Sequence, residues 1–468
     1  MLQISRNSVA AFGLGLAVVF TAQGSERSER SERSELSLNE YLQQVMKSDP
    51  AYQSQVQNSL GSRQTAQVAK LLFRPQFFIK AQFIDDTRTT AAPTIQGATN
   101  IQRNFSIGLR QQTPYGLGVQ FSFDSNTTTL TGTDPAFVKN PTVWNYYPVP
   151  VFSFSLWQNF WGRADRANQK VMEAQELAKA YGEEYHARAT LVEAEVNYWR
   201  LAVAREVSRV EKESLSRARE FLEHHQGQSK RHLGDPGNLL LAQAAVKGKE
   251  LELRTKVDEE RELARKFNLS RGVDADEVQE NLELPDPKVL EKLTVIPRDE
   301  MRGDVKAAQQ GAIAQTAGSD MAREKMLPEV SVYGSIFAWG LNFTVPLDIG
   351  TTSSIRQGYA IKAAAADLEF QSKAMQDKNE WKDLVRKFED AKERLVLAVE
   401  LEQVQKAKFQ RIQKRLALGL TIEDQVFQYE LDYLNSSLNR VQIEAMILAL
   451  RAQMKLYSAN SNQVGSLQ

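Results

Sequence analysis

Hydrophobic positions along the chain follow two kinds of pattern, and each pattern occurs twice. Between Ala164 and Gln228 apolar residues return every three or four positions, as in Val192, Val196, Trp199, Val203, Val207 and Val210. Ile443, Ile447, Leu450, Met454 and Tyr457 do the same near the C-terminus. That spacing predicts helices with one apolar stripe that needs a neighbour. Ahead of each long helical stretch the period drops to two. Leu117, Val119, Phe121 and Phe123 alternate with Gly118, Gln120, Ser122 and Asp124, and Phe152, Phe154 and Leu156 with Ser153 and Ser155. Phe77, Ile79, Ala81 and Phe83 alternate less cleanly with Phe78, Lys80, Gln82 and Ile84. Later, Val330, Val332 and Ile336 alternate with Ser331, Tyr333 and Ser335, and Leu341, Phe343 and Val345 with Asn342 and Thr344. Such alternation predicts strands with one apolar face.

The order of elements is duplicated. Leu72-Phe73-Arg74-Pro75-Gln76 and Met326-Leu327-Pro328-Glu329 each open a strand-rich patch, with their prolines 253 residues apart. Each patch is followed by a proline-free helix of 65 residues, Ala164 to Gln228 and Thr352 to Leu416, about 97 Å long. Shorter helices are expected over Leu36–Phe73 and Pro236–Phe267 in the first half, and over Arg298–Leu327 and Thr421–Tyr457 in the second. Two short helices stacked end to end match one long helix in each half, which predicts a wall of paired helices. Domain boundaries follow: a first repeat at 36–267, a linker at 268–297 containing Pro285, Pro287 and Pro297, a second repeat at 298–457 and a tail at 458–468.

The helical stripes alone fit an ordinary bundle or rod equally well, and a soluble sheet with one buried face gives the same strand alternation. The N-terminus favours export. Arg6 precedes an apolar run from Val9 to Phe20 and then Ala22-Gln23-Gly24, which predicts a signal peptide over 1–24, followed by a disordered Ser-Glu-Arg leader at 25–35. No later stretch is long and apolar enough for a spanning helix, so the alternatives are a soluble exported protein or a membrane β-barrel. Aromatic residues at the strand ends favour the barrel, with Val119, Phe121, Phe123, Phe152, Phe154, Phe343 and Val345 facing lipid.

Composition narrows the chemistry. With 58 basic and 58 acidic residues the formal net charge is zero, which gives no reason to expect nucleic acid as a partner. The absence of cysteine excludes disulfides, thiolate metal sites, cysteine nucleophiles and a cysteine-linked lipid anchor. No nucleophile–base arrangement, phosphate loop or dinucleotide motif is present, so neither enzymatic activity nor a cofactor is predicted. His224, His225 and His232 cluster beside Glu223, but adjacent histidines on a helix point about 100° apart. They are read as solvated surface, and no metal is expected.

Several motifs in their order resemble the outer-membrane efflux protein (TolC) family. Leu36-Ser37-Leu38-Asn39-Glu40-Tyr41 followed by Ser48-Asp49-Pro50 is similar to the family's opening helix and its break. Tyr198-Trp199-Arg200-Leu201 resembles an aromatic patch of its first long helix, and Arg415-Leu416-Ala417-Leu418-Gly419-Leu420-Thr421 its tip pattern. The resemblance runs from about Leu36 to Tyr457. It implies a homotrimer in which three copies share one β-barrel in outer-membrane lipid and continue into a helical tunnel across the periplasm. It further implies a periplasmic adaptor protein and an inner-membrane transporter as partners, with no chemistry performed by this chain. A periplasmic coiled-coil adaptor or structural protein that never enters the membrane is the alternative, a passive porin fits less well, and cargo is not legible.

Two features depart from the family. It implies four strands per protomer, two from each half, whereas Asn104 to Asp124 forms a further hairpin candidate turning at Pro114-Tyr115-Gly116. That hairpin either widens the barrel or projects outside it. The second-half strands, of about eight and seven residues, are shorter than the roughly nine to eleven that span a bilayer. At the tip, the family places adaptor docking around Leu233-Gly234 and Leu418-Gly419-Leu420, where each glycine is equally suited to end a helix. Acidic residues that in the family follow the tip glycine by six and nine positions are replaced by Gln425 and Gln428. The expected gate comprises Thr421, Gln425 and Gln428 with Asp424 as competitor, against the alternative of polar residues on an exposed helix face.

Overall fold

The computed structural model describes residues 35–88, 90–231, 236–298 and 301–458. The expected signal peptide, the leader up to residue 34 and the tail beyond Ser458 fall outside them, as do His232, Leu233 and Gly234. A two-residue strand β1 (Glu35–Leu36) leads into α1 (Leu38–Ser48), α2 (Pro50–Thr65) and α3 (Val68–Leu71). Ser37 and Glu40 start α1 by exchanging side-chain and backbone hydrogen bonds at 3.2 and 3.3 Å. The Asp49-Pro50 step ends it. Asp49 accepts from the Ala51 amide at 2.8 Å, and Pro50, which has no amide hydrogen, opens α2. The helix expected over Leu36–Phe73 is therefore three pieces.

Next come β2 (Gln76–Asp86), a single helical turn α4 (Pro93–Gln96), β3 (Thr99–Gln112), β4 (Leu117–Thr131) and β5 (Thr142–Ser155). The long helix α5 (Arg163–Lys230) and its return α6 (Pro236–Ser270) complete the first half. β6 (Asn281–Leu282), which pairs in parallel with β1, and α7 (Pro287–Glu291) lie in the connecting stretch. The second half comprises α8 (Gly303–Lys325), β7 (Glu329–Ser335), β8 (Trp339–Thr344), α9 (Ile349–Ala417) and α10 (Glu423–Met454). α8 starts five residues later than the pattern suggested. Arg298 and Arg302 precede it in non-helical backbone and reach into a cluster of ion pairs instead.

α5 and α9, of 68 and 69 residues, are each about 100 Å long. Along α5, Ser59 and Arg63 of α2 meet Ala180 and Glu184, whereas farther down Glu250 of α6 meets Arg219. The valine stripe of α5 is buried, with Val203 and Val207 against Val441 of α10. Where the two halves and the connecting stretch meet, Tyr41, Tyr198, Leu201, Phe267, Leu290, Phe388, Leu395, Ile447 and Met454 are fully enclosed in one core. Tyr41 stacks on Phe267 with centroids 4.0 Å apart. Tyr198 donates to the Leu36 carbonyl at 2.7 Å and accepts from the Glu283 amide at 3.2 Å, and burial pushes its hydroxyl up to about 12.

A polar cluster ties the start of α8 to α9 and reaches Tyr185 of α5. Arg302 holds Asp304 at 2.7 Å and Glu380 at 2.6 Å and donates to the Tyr457 hydroxyl at 2.9 Å, with its guanidinium over the Tyr185 and Tyr457 rings. Arg298 pairs with Asp377, whose side chain is 1% exposed. Burial pushes the Asp377 carboxyl up, against the opposing pull of Arg298 and Arg302.

Six strands, β7 and β8 the shortest at seven and six residues, make one antiparallel sheet in the order β2-β3-β4-β5-β7-β8, so the hairpin that was undecided from the sequence belongs to the sheet. It is also longer than expected, at 14 and 15 residues. The sheet joins the helices through a tight corner. Trp161 and Gly162 both have positive φ, and a Cβ at Gly162 would lie 2.2 Å from the Pro114 carbonyl oxygen of the β3–β4 turn. Only glycine fits there. Arg166 of α5 then clamps the corner by donating to the carbonyls of Pro114 and Trp161 at 2.7 and 2.6 Å.

Candidate functional site: an apolar sheet face and a helical tip

Residues directly opposed in an antiparallel ladder point to the same face. Register therefore decides which side each strand residue serves. Phe77, Leu109 and Phe121 are opposed in turn, as are Ile79, Ile107, Phe123 and Pro148. Val119 opposes Phe152, Leu117 opposes Phe154, Phe154 opposes Val332, and Val330 opposes Phe343. Six of the seven residues expected to face lipid thus share one apolar face, with Phe121, Phe123, Phe152 and Phe343 exposed and Val119 and Phe154 half-buried. Val345 lies one residue beyond the end of β8, and Ile336 falls in the turn after β7. The opposite face carries Gln82, Asn104, Asn126 and Asn145 in one row across four strands.

At the far end of the helices, α9 stops at Ala417 in a left-handed turn. Gly419, at φ 71°, donates to the Leu416 carbonyl at 2.9 Å, and Leu420 reaches back to the Arg415 carbonyl at 2.9 Å. This pair of bonds satisfies carbonyls that the helix end would otherwise leave open. The turn exposes a cluster of aliphatic side chains: Leu418 is 72%, Leu420 62% and Ile422 59% accessible. Those values are high for leucine and isoleucine.

α10 starts one residue later, and its faces are partitioned. Asp424 and Phe427 turn toward α5, where Phe427 stacks on Phe221 with centroids 4.5 Å apart. Asp424 Oδ1 lies 2.9 Å from His225 Nε2, and Glu423 Oε2 lies 2.6 Å from His224 Nδ1. His225 is 5% exposed and packs edge-on against Phe221. The reading of these histidines as solvated surface is therefore wrong for His225, which is held between Asp424 and an aromatic ring. Lower on the same side Arg217 meets Glu430 at 3.0 Å, and burial pushes the Glu430 carboxyl up. Tyr429 and Tyr433 face α9, under Lys408 and against Phe409.

Gln425 and Gln428 remain on the exposed face of α10, and the Thr421 hydroxyl donates to Gln425 Oε1 at 2.6 Å. Of the four expected gate residues, the structure brings Thr421 and Gln425 together and turns Asp424 away toward α5. Sequence reasoning missed the His225–Asp424 contact because its partners stand 199 positions apart. Among the described residues no group of three or more potential ligands could hold a metal ion, and no helix is long and apolar enough to cross a membrane.

The whole architecture is shared with solved outer-membrane channels. The outer membrane protein VceC of Vibrio cholerae matches with a TM-score of 0.64 at 15% identity, covering 90% of this chain and 95% of that one. The CmeC outer membrane channel of Campylobacter jejuni gives 0.63 at 13% identity, over 95% and 94% of the two chains. The open state of the MtrE outer membrane channel of Neisseria gonorrhoeae gives 0.61 at 12% identity, over 90% and 88%. No protein-family model and no curated protein matches the sequence. The likeness is one of fold: long paired helices joined to an antiparallel sheet.

Proposed function

We propose that this chain is the exit duct of a tripartite efflux pump or a type I secretion system, a homotrimer seated in the outer membrane with its helices crossing the periplasm. The observation that carries this reading is the sheet. It carries an exposed apolar band, from Phe77 and Ile79 through Ile107, Leu109, Phe121 and Phe123 to Phe152, and its four first-half strands of 11 to 15 residues are long enough to cross hydrocarbon. In water a face of that size would need a cover; in lipid it needs none. Closing the sheet with two further copies also removes the open edges of β2 and β8, which a bilayer does not tolerate.

Within this reading the chain performs no chemistry. An inner-membrane transporter supplies the work, and a periplasmic adaptor docks at the exposed leucines of the tip. Gln425 and Gln428, threefold repeated, line the constriction, while Asp424 holds α10 to α5 through His225. The channel folds shared with VceC, CmeC and MtrE support the duct over a periplasmic adaptor that stays out of the membrane.

Extraction separates the two. The duct requires detergent for release, has the mass of a trimer in mild detergent and conducts ions in planar bilayers; release by osmotic shock as a soluble monomer defeats the reading. Replacing Leu418 and Leu420 together by Glu should abolish transport in cells while the trimer still assembles. Undiminished transport by that variant would remove docking from this turn.

A further inference from the structure

The β3–β4 hairpin sits inside the sheet, hydrogen-bonded to β2 on one side and β5 on the other, over ladders of 11, 14 and 13 residue pairs. Removing it would leave β2 and β5 antiparallel, with their apolar residues already on one face. The hairpin therefore adds two strands to the wall without changing its direction or its sidedness. Resting on the duct reading above, we propose that three copies close an 18-stranded wall, and that its lumen takes cargo of the size of a hydrated polypeptide.

Strand count sets the radius. With strands about 4.8 Å apart and tilted by about 40°, 12 strands give a backbone radius of about 12 Å and 18 strands about 18 Å. Allowing about 5 Å for side chains, half the usual spacing between packed sheets, leaves free radii of about 7 and 13 Å. The lumen chemistry suits a hydrated chain. The row of Gln82, Asn104, Asn126 and Asn145 offers uncharged donors and acceptors, and the same face carries Lys80, Arg110 and Asp124, so it is polar and of mixed charge.

The free edge of β5 opposes a narrower closure. β7 covers β5 only over Val151–Ser155, because the β7–β8 hairpin is short. Just past the strand, the Leu156 amide donates to the Val330 carbonyl, so even-numbered residues direct their backbone groups away from β4. Pro148 and Pro150 are even-numbered. They remove two amide hydrogens from the uncovered edge, which blocks regular pairing with β2 of the next copy over that stretch.

The test is polymer exclusion in planar bilayers, with polyethylene glycols of graded size added to the compartment bathing the sheet end. The full chain should admit polymers up to a radius roughly twice the limit of a variant lacking residues 99–131. Equal limits would place the hairpin outside the wall and overturn the proposal. Should the deletion not assemble, single cysteines decide, since the chain has none of its own. In the trimer, Asn104→Cys and Asn126→Cys should react with a charged, membrane-impermeant maleimide at least ten times faster than Phe105→Cys and Ile107→Cys. Equal rates at all four sites would show a hairpin standing in water. Failure to form trimeric channels at all sinks the duct reading itself, whereas trimeric channels with a narrow limit sink only the 18-stranded wall.

Discussion

The two halves of the chain differ by one residue in the length of their long helices and by a factor of two in the strands they contribute. α5 and α9 have 68 and 69 residues; the first half supplies β2 to β5, the second only β7 and β8. Helices that share one wall must end at the same level, because a turn inserted in one displaces every side chain beyond it against its partner. An antiparallel sheet has no such constraint. A whole hairpin enters it with all faces preserved, since two strands restore both direction and alternation. The duplicated helices match in length, and the strands differ in number.

Breaking the ion cluster around Arg302 should have the largest effect. Arg302→Met leaves Asp304, Glu380 and the buried Asp377 without their shared cation, and in a cluster that is only partly buried this costs about 1–3 kcal/mol. The loss should depend on pH in a defined direction. A carboxyl whose value is raised by folding, as that of Asp377 is, contributes stability that is complete below its unfolded value and lost as pH rises through the folded one. The deficit of Arg302→Met should therefore be greatest at neutral pH and shrink on acidification, as read from thermal unfolding of the helices by circular dichroism. A deficit independent of pH would show that these carboxylates do not govern the cluster.

A smaller effect sharpens the comparison at the tip, where both long helices end. Gly419→Ala forces a Cβ into left-handed backbone, which costs about 1–2 kcal/mol, while the space around it is open. Faster hydrogen exchange confined to residues 413–424 would be the signature; exchange spread over all of α9 would mean that the turn holds more than its own end. The smallest change leaves stability alone. Gln425→Asp with Gln428→Asp places a carboxylate ring on the exposed face of α10 and should raise cation over anion permeability several-fold in single-channel recordings. If Asp424→Asn alters selectivity and the double glutamine variant does not, the open face has been assigned to the wrong residues.

Much of this molecule could be read from periodicity. The valine stripe of α5, the break at Asp49-Pro50, the turn at Gly419 and the alternation of β4, β5, β7 and β8 follow from interactions within a few residues, which a linear pattern records directly. The helix boundary before α8 was not legible. Arg298 and Arg302 suit a helix, and what draws them out of one is the carboxylates of Asp377 and Glu380, more than 70 positions later.

The sequence by itself determined the alternation of faces, the lengths of the two long helices and the residues available at the tip. Tertiary structure decided three other things: that the β3–β4 hairpin lies within the sheet, that Asp424 turns to His225 while Gln425 stays open, and that Arg302 of the second half gathers Asp304, Glu380 and Tyr457 over the Tyr185 ring of the first. The division has a physical cause. Periodicity specifies which side of an element avoids water, but strand neighbours and ion-pair partners are chosen by distances between segments far apart in the chain, and no local pattern encodes those distances.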